Sequence, residues 1–345
     1  MKGVSTIVAD DVNIVDIAKY AGVSISTVSR VLNNHPDVSP KSRQKVKAVI
    51  EEYSYIPNNS ARNLKRESLK AIGVIVKGFT NPFFAKMLEI IQNELQECHY
   101  SMLLEQIDPN QDEIDAAISL VKEKKPRGLI FMGGNFMQRH DKLAMLDIPF
   151  IMVTITINEG IDRSAFSSVT IDDYTEAYRV TDRICKAGHV EVCAIGFTPE
   201  DRSISHLRIE GFQQALRDNG CLAEDRLAYA GEYSMEAGYN AAKQLLSRSR
   251  FTCLLCISDL LALGALRSVY DAGYKVPQDI SVVGFDGIDN AKYSIPSLAT
   301  VKQPNVKMAR TAVSILMNRL KKSAANEHLI FEADFQVGES FADRK

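Results

Sequence analysis

The sequence predicts a small all-α helix-turn-helix headpiece joined to an α/β body of two Rossmann-like parallel-sheet lobes. Three observations predict it. Between residues 13 and 53, apolar side chains recur every three or four positions in three short runs separated by turn residues, the period of small amphipathic helices. From Ala71 the rhythm becomes short apolar strand, turn, amphipathic helix, repeated, which is how parallel strands buried on both faces read. The 275 residues from that point exceed one doubly wound sheet, so the body divides into two similar lobes.

In the headpiece, Asn13 is suited to capping the first helix, with Asp16 three residues on. That helix places Ile14, Ile17, Ala18 and Ala21 on one face, and Gly22 ends it. Ser24 caps a second helix that turns Val28, Val31 and Leu32 inward and stops at Asn33 and Asn34. Ser39 and Pro40 start a third, since proline fits the first helical position, and Val46, Val49, Ile50 and Tyr53 form its stripe. Residues 55–58 (Tyr-Ile-Pro-Asn) break the pattern. A fourth, short helix follows over 58–66, with Leu64 its one large apolar side chain.

The spacing of Ala18, Gly22 and Val28 is that of a helix-turn-helix: a small residue where two helices cross, a residue tolerant of left-handed backbone in the turn, and an apolar residue packing the second helix back on the first. The second helix then projects Ser26, Ser29 and Arg30, with Thr27 near its start. A DNA major groove admits such a helix, where arginine reads guanine and hydroxyls hold phosphates. Charge agrees. Residues 1–66 hold ten Lys/Arg against six Asp/Glu, a net +4 in a chain of net −2, so the remainder carries −6 and only the head suits a polyanion. An ordinary αα-hairpin explains the periodicity but not the triple spacing with a basic third helix. Leu64, set among Arg62, Lys65 and Arg66, has two readings: packing on the next domain, or wedging between base steps in the minor groove with its cations on phosphates. A helix with so few apolar positions is marginal alone, so on the second reading it orders on DNA.

In the body the strand candidates are 72–76, 101–105, 129–132, 150–153, 169–171, 192–195, 254–257 and 281–285, with helices at 82–98, 112–124, 173–187, 205–219, 234–247 and 259–272. The expected organisation is a DNA-binding domain over 12–57, a hinge helix and linker over 58–70, an N-terminal lobe from 71–171 with 300–327, and a C-terminal lobe from 172–299 with 328–345. No apolar run approaches the ~18 residues of a membrane span, and the first sixteen residues lack the apolar core of a secretory signal. Six cysteines, dispersed at 98, 185, 193, 221, 253 and 256, suit a reducing cytoplasm rather than a disulfide framework. Cys253 and Cys256 have redox-motif spacing but sit in an apolar strand run, where side chains three apart point to opposite faces, so they read as core. The histidines form no metal-ligand spacing, Gly133-Gly134 and Gly284-x-x-Gly287 lack a phosphate-binding series, and no Gly-x-Ser-x-Gly elbow occurs. The chain therefore reads as a non-enzyme with no cofactor and no metal.

Six segments carry a resemblance: NIVDIAKYAGVSISTVSRVLN (13–33), YIPNNSARNL (55–64), NPFFAKMLE (81–89), RIEGF (208–212), SDLLALGAL (258–266) and VPQDISVVGFDGID (276–289). In this order they resemble the lactose/galactose-repressor family of bacterial transcription regulators along almost the whole chain. The resemblance implies a body similar to periplasmic sugar-binding proteins, a homodimer on a pseudo-palindromic double-stranded operator, and a small effector, most often a sugar, between the lobes. It implies DNA contacts from Ile25, Ser26, Thr27, Ser29, Arg30 and Asn33 in the headpiece and from Asn58, Ala61, Arg62 and Leu64 in the hinge. It implies an effector cleft of Phe83, Phe84, Arg202, Arg208, Tyr233, Ser258 and Asp286. The residues agree with this. Arg208 offers a planar fork to hydroxyls or a carboxylate, Asp286 follows a buried strand at the end where open α/β sheets bind ligands, and the aromatic rings suit a sugar or base face or else the core. Arg202, beside Glu200 and Asp201, also reads as a surface charge.

Three positions depart from the family: Thr154 where many relatives carry an acid, Ser258 where others have Asn, and Ile204 where some carry a hydroxyl. Lys77 is also unusual and is expected to add positive charge at the cleft. Other readings stay open: a purine-type ligand, a phosphocarrier protein as corepressor on the N-terminal lobe, or a sugar-binding transport component. The last would carry a signal peptide and lack residues 13–66. The dimer face is expected on N-terminal-lobe helices such as 82–98, and the absence of a heptad tail before Lys345 argues against coiled-coil tetramers.

Overall fold

The computed structural model describes residues 12–32, 35–53, 70–78, 80–108, 111–134, 140–155, 162–198, 203–221, 226–322 and 324–344. It divides into two units, Met1–Leu69 and Lys70–Lys345.

The described residues of the first unit form a three-helix cluster. Helix α1 (Ile14–Ala21) begins at a reciprocal cap: the Asn13 side chain accepts from the Val15 N–H at 2.8 Å, and Asp16 accepts from the Asn13 N–H at 3.0 Å. Gly22 ends it at φ +62°, a left-handed turn that a β-carbon would strain. In α2 (Ile25–Leu32) Ser24 Oγ accepts from the Thr27 N–H at 3.2 Å, and α3 (Pro40–Glu52) is capped by Ser39 with proline at its start. Ile17, Ala18, Ala21, Val28, Val31, Val38 and Val46 form the core; all but Val38 follow the predicted periodicity, and Ile14, Leu32, Val49, Ile50 and Tyr53 pack against it partly buried.

The second unit holds two six-stranded sheets. The first contains β1 (Ala71–Lys77), β2 (Ser101–Ile107), β3 (Gly128–Met132), β4 (Phe150–Val153), β5 (Ser167–Ile171) and β11 (His328–Phe331), ordered β11-β5-β4-β3-β1-β2 and parallel throughout. The second contains β6 (Val192–Gly196), β7 (Leu227–Tyr229), β8 (Cys253–Cys256), β9 (Ser281–Asp286), β10 (Ala299–Lys302) and β12 (Asp334–Gln336), ordered β12-β10-β9-β8-β6-β7. Its strands are parallel except that β12 runs antiparallel to β10. In chain order the helices are α4 (Pro82–Glu97), α5 (Glu113–Lys124), α6 (His140–Leu143), α7 (Asp173–Lys186), α8 (Ile204–Asp218), α9 (Met235–Arg248), α10 (Asp259–Asp271), α11 (Asp289–Tyr293) and α12 (Asn305–Lys322).

All eight expected strands form, and their central members are buried. At the open edge of the first sheet β2 is mostly exposed, because only β1 covers its flank. Four short strands stand outside the expected set, β7, β10, β11 and β12, each of three or four residues. They move the lobe boundaries. Residues 300–302 belong to the C-terminal lobe, since β10 pairs with β9 in the register Ala299↔Val283. Residues 328–331 belong to the N-terminal lobe, since β11 pairs with β5, and the His328 ring fixes it there on Ser168 Oγ at 2.8 Å and the Arg163 carbonyl at 3.0 Å. The chain therefore crosses between lobes at 172, at 303–304 and at 332–333, rather than at 299 and 328. Cys253 and Cys256 lie fully buried in β8, and burial pushes both thiols up. No helix among the described residues is long and apolar enough to cross a membrane.

Candidate functional site

The recognition-helix candidates sort by what α2 leaves outside. Ile25 is 47% exposed although it is a large apolar residue, and Ser26 and Arg30 are exposed beside it. Thr27 and Ser29 are half-buried, and the Thr27 hydroxyl pairs with Ser24 Oγ at 2.9 Å, as does that of Ser26 at 2.8 Å. The outer face of the helix is therefore an isoleucine, a serine and an arginine. Asn33, Asn58, Ala61, Arg62 and Leu64 lie outside the described residues. Tyr20, outside the apolar pattern, stacks on Tyr53, 4.9 Å between centroids and 15° apart, and ties α1 to the end of α3.

In the body, Asp286 ends β9 at the carboxyl edge of the second sheet, 4% exposed and at φ +111°. Four groups surround its side chain and backbone. Arg208 in α8 donates to Oδ1 at 3.2 Å, Gln303 Nε2 to the same oxygen at 2.9 Å, and Asn81 Nδ2 to Oδ2 at 3.3 Å. The Gln303 N–H also bonds the Asp286 carbonyl at 3.2 Å, tying the crossover to the strand end. Arg208 is itself buried. It donates to Asp173 at 2.8 Å and to the Ile257 carbonyl at 2.6 Å, and lies 3.7 Å over the Phe285 ring. Burial raises the Asp286 and Asp173 carboxyls, and Arg208 opposes the rise in both. Burial works against the guanidinium as well, but the two carboxylates outweigh it and shift Arg208 upward.

Behind this triad stands a third buried carboxyl that sequence reasoning missed. Asp259, at the start of α10, accepts from the Gly287 and Ile288 N–H groups at 2.7 and 2.8 Å and pairs with Thr300 Oγ1 at 2.6 Å. Those two amides follow Asp286, so Asp259 fixes the backbone that presents it. Burial and the neighbouring Asp286 push the Asp259 carboxyl up to about 8.

The other effector candidates divide. Ser258 is fully buried and caps α10, accepting from the Leu261 N–H at 3.4 Å, so its hydroxyl has a structural task. Phe83 and Phe84 meet edge to face at 5.5 Å inside the core, 3% and 8% exposed. Tyr233 is half-buried and packs on Phe197 at 4.5 Å. Arg202 lies outside the described residues. Lys77 adds no free charge: its Nζ bonds Glu113 at 3.2 Å and the Gln111 carbonyl at 2.9 Å. Glu113 is buried against Gly134 at φ +99°, where a β-carbon would stand 2.1 Å from Oε1. Thr154 is buried at φ +58° and turns its hydroxyl onto the Val153 carbonyl at 2.6 Å. Asn81, Asp173 and Gln303 were also missed. A cap before Pro82, an acid opening a helix after β5 and a polar residue at a crossover would have flagged all three.

Residues 13–58 match the family described as bacterial regulatory proteins, lacI family, and residues 69–336 match periplasmic binding proteins and sugar binding domain of LacI family. The chain belongs to the LacI family. It is 40% identical over 325 residues, 93% of this chain and 97% of the relative, to the HTH-type transcriptional regulator MalR of Clostridium butyricum. To the HTH-type transcriptional repressor PurR of Erwinia tasmaniensis it is 32% identical over 307 residues, 88% and 89% of the two chains. The solved transcriptional regulator CelR–cellobiose complex superposes with a TM-score of 0.70 at 26% identity, covering 96% of this chain and all of that one. This LacI-family chain thus combines the DNA-binding headpiece and the effector-binding body of a transcriptional regulator, and its relatives are regulators rather than enzymes.

Proposed function

We propose that the protein is a repressor that binds a pseudo-palindromic operator as a homodimer in the cytoplasm and is switched by a sugar held between its lobes. In this reading Ile25, Ser26, Thr27, Ser29, Arg30 and Asn33 meet the major groove. Asn58, Ala61, Arg62 and Leu64 meet the minor groove at the dyad, where Leu64 wedges the central step. Arg208, Asp286 and Tyr233, with Arg202, hold the effector, while Phe83, Phe84 and Ser258 shape the walls from behind.

One observation carries the effector reading: the buried Asp286–Arg208–Asp173 group at the carboxyl end of the second sheet, where open α/β folds bind ligands, reached from the other lobe by Asn81. Asp286 is ringed by N–H donors, and a sugar hydroxyl replaces such donors one for one. The named ligand of the CelR structure, cellobiose, supports the same class.

The test is a thermal-unfolding screen against neutral sugars, sugar phosphates, nucleobases and nucleosides, read by calorimetry because the chain has no tryptophan. A ligand at 100 times its Kd stabilises by about 2.7 kcal/mol, a clear shift. Stabilisation by neutral mono- or disaccharides is the expected result. A response to purines alone would replace the sugar reading, and silence across all panels would point to a protein corepressor.

A further inference from the structure

The bond from Asn81 to Asp286 joins the two lobes directly rather than through a crossover. Asn81 precedes α4 on the first sheet, Asp286 ends β9 on the second, and both are buried, 6% and 4% exposed. The two ends of the Asn81 amide have separate tasks. Its Oδ1 accepts from the Phe83 N–H at 3.0 Å and caps α4, which leaves Nδ2 as the end that meets Asp286 Oδ2. Flipping the amide would set its oxygen against a carboxylate and its NH₂ against a backbone N–H, so the orientation is dictated by both neighbours. Arg208 and Gln303 both take Oδ1 of Asp286, and Asn81 takes Oδ2.

We propose that Asn81 is a positioning residue that latches the lobes in the ligand-free protein, its amide occupying across the lobe boundary the Asp286 oxygen that faces the other lobe. The capping oxygen holds the amide to α4, so release of Nδ2 from Asp286 frees the first lobe without unwinding the helix. A molecule that competes with Asn81 for Asp286 Oδ2 loosens the latch; that consequence rests on the effector reading above, whereas the latch does not.

The experiment measures lobe separation in the full-length, ligand-free protein by pulsed electron resonance. Genetically encoded spin labels replace the exposed Lys122 on α5 and Lys243 on α9, leaving the native cysteines alone. Asn81→Ser keeps a capping oxygen and loses the amide NH₂ that reaches Asp286; Asn81→Asp keeps the cap and sets a carboxylate against Asp286. The latch predicts that Asn81→Ser adds a population at longer separation and Asn81→Asp shifts the distribution further. It also predicts that Asn81→Asp with Asp286→Asn, which exchanges donor and acceptor, returns the wild-type distribution. Folded variants with unchanged distributions would overturn it. So would opening in Asn81→Asp alone, which would reflect repulsion only, or a double variant that stays open. Should Asn81→Asp fail to fold, Asn81→Ser decides. Since closure by Asn81 needs no ligand, its failure leaves the sugar reading standing, and a silent ligand screen leaves the latch standing.

Discussion

Replacing Arg208 by Met keeps the volume of the side chain over Phe285 and removes its charge, which leaves Asp173 and Asp286 buried without their cation. Their side chains are 2% and 5% exposed, so water cannot take the place of the guanidinium. Removing one partner of a buried pair costs about 3–5 kcal/mol, because an uncompensated charge stays behind. In a body of this size each kcal/mol moves the melting temperature by roughly 2–4 °C, so the loss is on the order of 10 °C. The cost must also depend on pH. Burial already raises both carboxyls while Arg208 opposes it, and without Arg208 their folded-state pKa values rise further above the unfolded ones. A raised carboxyl binds its proton more tightly in the folded state, so the variant is most stable when both are protonated and loses stability as pH rises through the folded values. Urea unfolding of wild type and variant at pH 5 and pH 8 reads this as a larger gap at pH 8. The triple variant Arg208→Met, Asp173→Asn, Asp286→Asn should recover most of the loss at pH 8. A gap below about 1 kcal/mol, or one equal at both pH values with no recovery, would refute the claim that Arg208 neutralises these two acids.

Three further outcomes are expected. Arg30→Ala should relax specificity at one base pair of each half-site by ~1–3 kcal/mol when binding is measured across operator variants, whereas uniform weakening would mean a phosphate contact. Leu64→Ala should weaken specific operator binding in a fluorescence-anisotropy titration without changing the melting of the body; unchanged affinity would remove the wedge. His189 is fully buried between Thr252 Oγ1 and the Ala342 carbonyl, at 2.9 Å each, and burial lowers its pKa below the ordinary 6.5. Its share of stability is therefore present above pH 6.5 and lost as pH falls through the lower folded value, and His189→Gln should flatten the acid limb of urea midpoints against pH.

The headpiece was legible nearly to the residue, because its determinants are local. A capping pair, a left-handed glycine and a three-to-four-residue apolar period act within one or two turns, and Asn13, Gly22 and Val28 each do what their spacing predicts. The long apolar strands were legible for the same reason. What escaped is whatever depends on a partner far along the chain. Strand β10 reads as Ala-Thr-Val-Lys and has meaning only beside β9, and β11 is held by Ser168, 160 residues away. Around Asp286, that residue and Arg208 stood out by motif, but Asp173, Asp259 and Gln303 are ordinary polar residues in sequence and become a buried cluster only when elements of the second lobe and a crossover converge. Lys77 shows the converse: a charge conspicuous in sequence is cancelled by Glu113, 36 residues on.

The partners of Asp286 give this carboxylate a reach that no single contact implies. Arg208 ties it to its own lobe, Gln303 to the crossover that leads into α12, and Asn81 to the cap of α4. Helices α4 and α12 pack on one another in the first lobe, and α4 is the helix expected at the dimer face. A ligand that takes the place of Asn81 or Gln303 on Asp286 therefore exchanges hydrogen bonds with a connection to that helix pair. It can move that pair only by as much as its affinity differs between the state in which Asn81 and Gln303 hold the carboxylate and the state in which they do not. The strength of those internal bonds thus sets a threshold: the tighter Asn81 and Gln303 hold Asp286, the more of a competing ligand's binding energy is consumed before α4 and α12 are released.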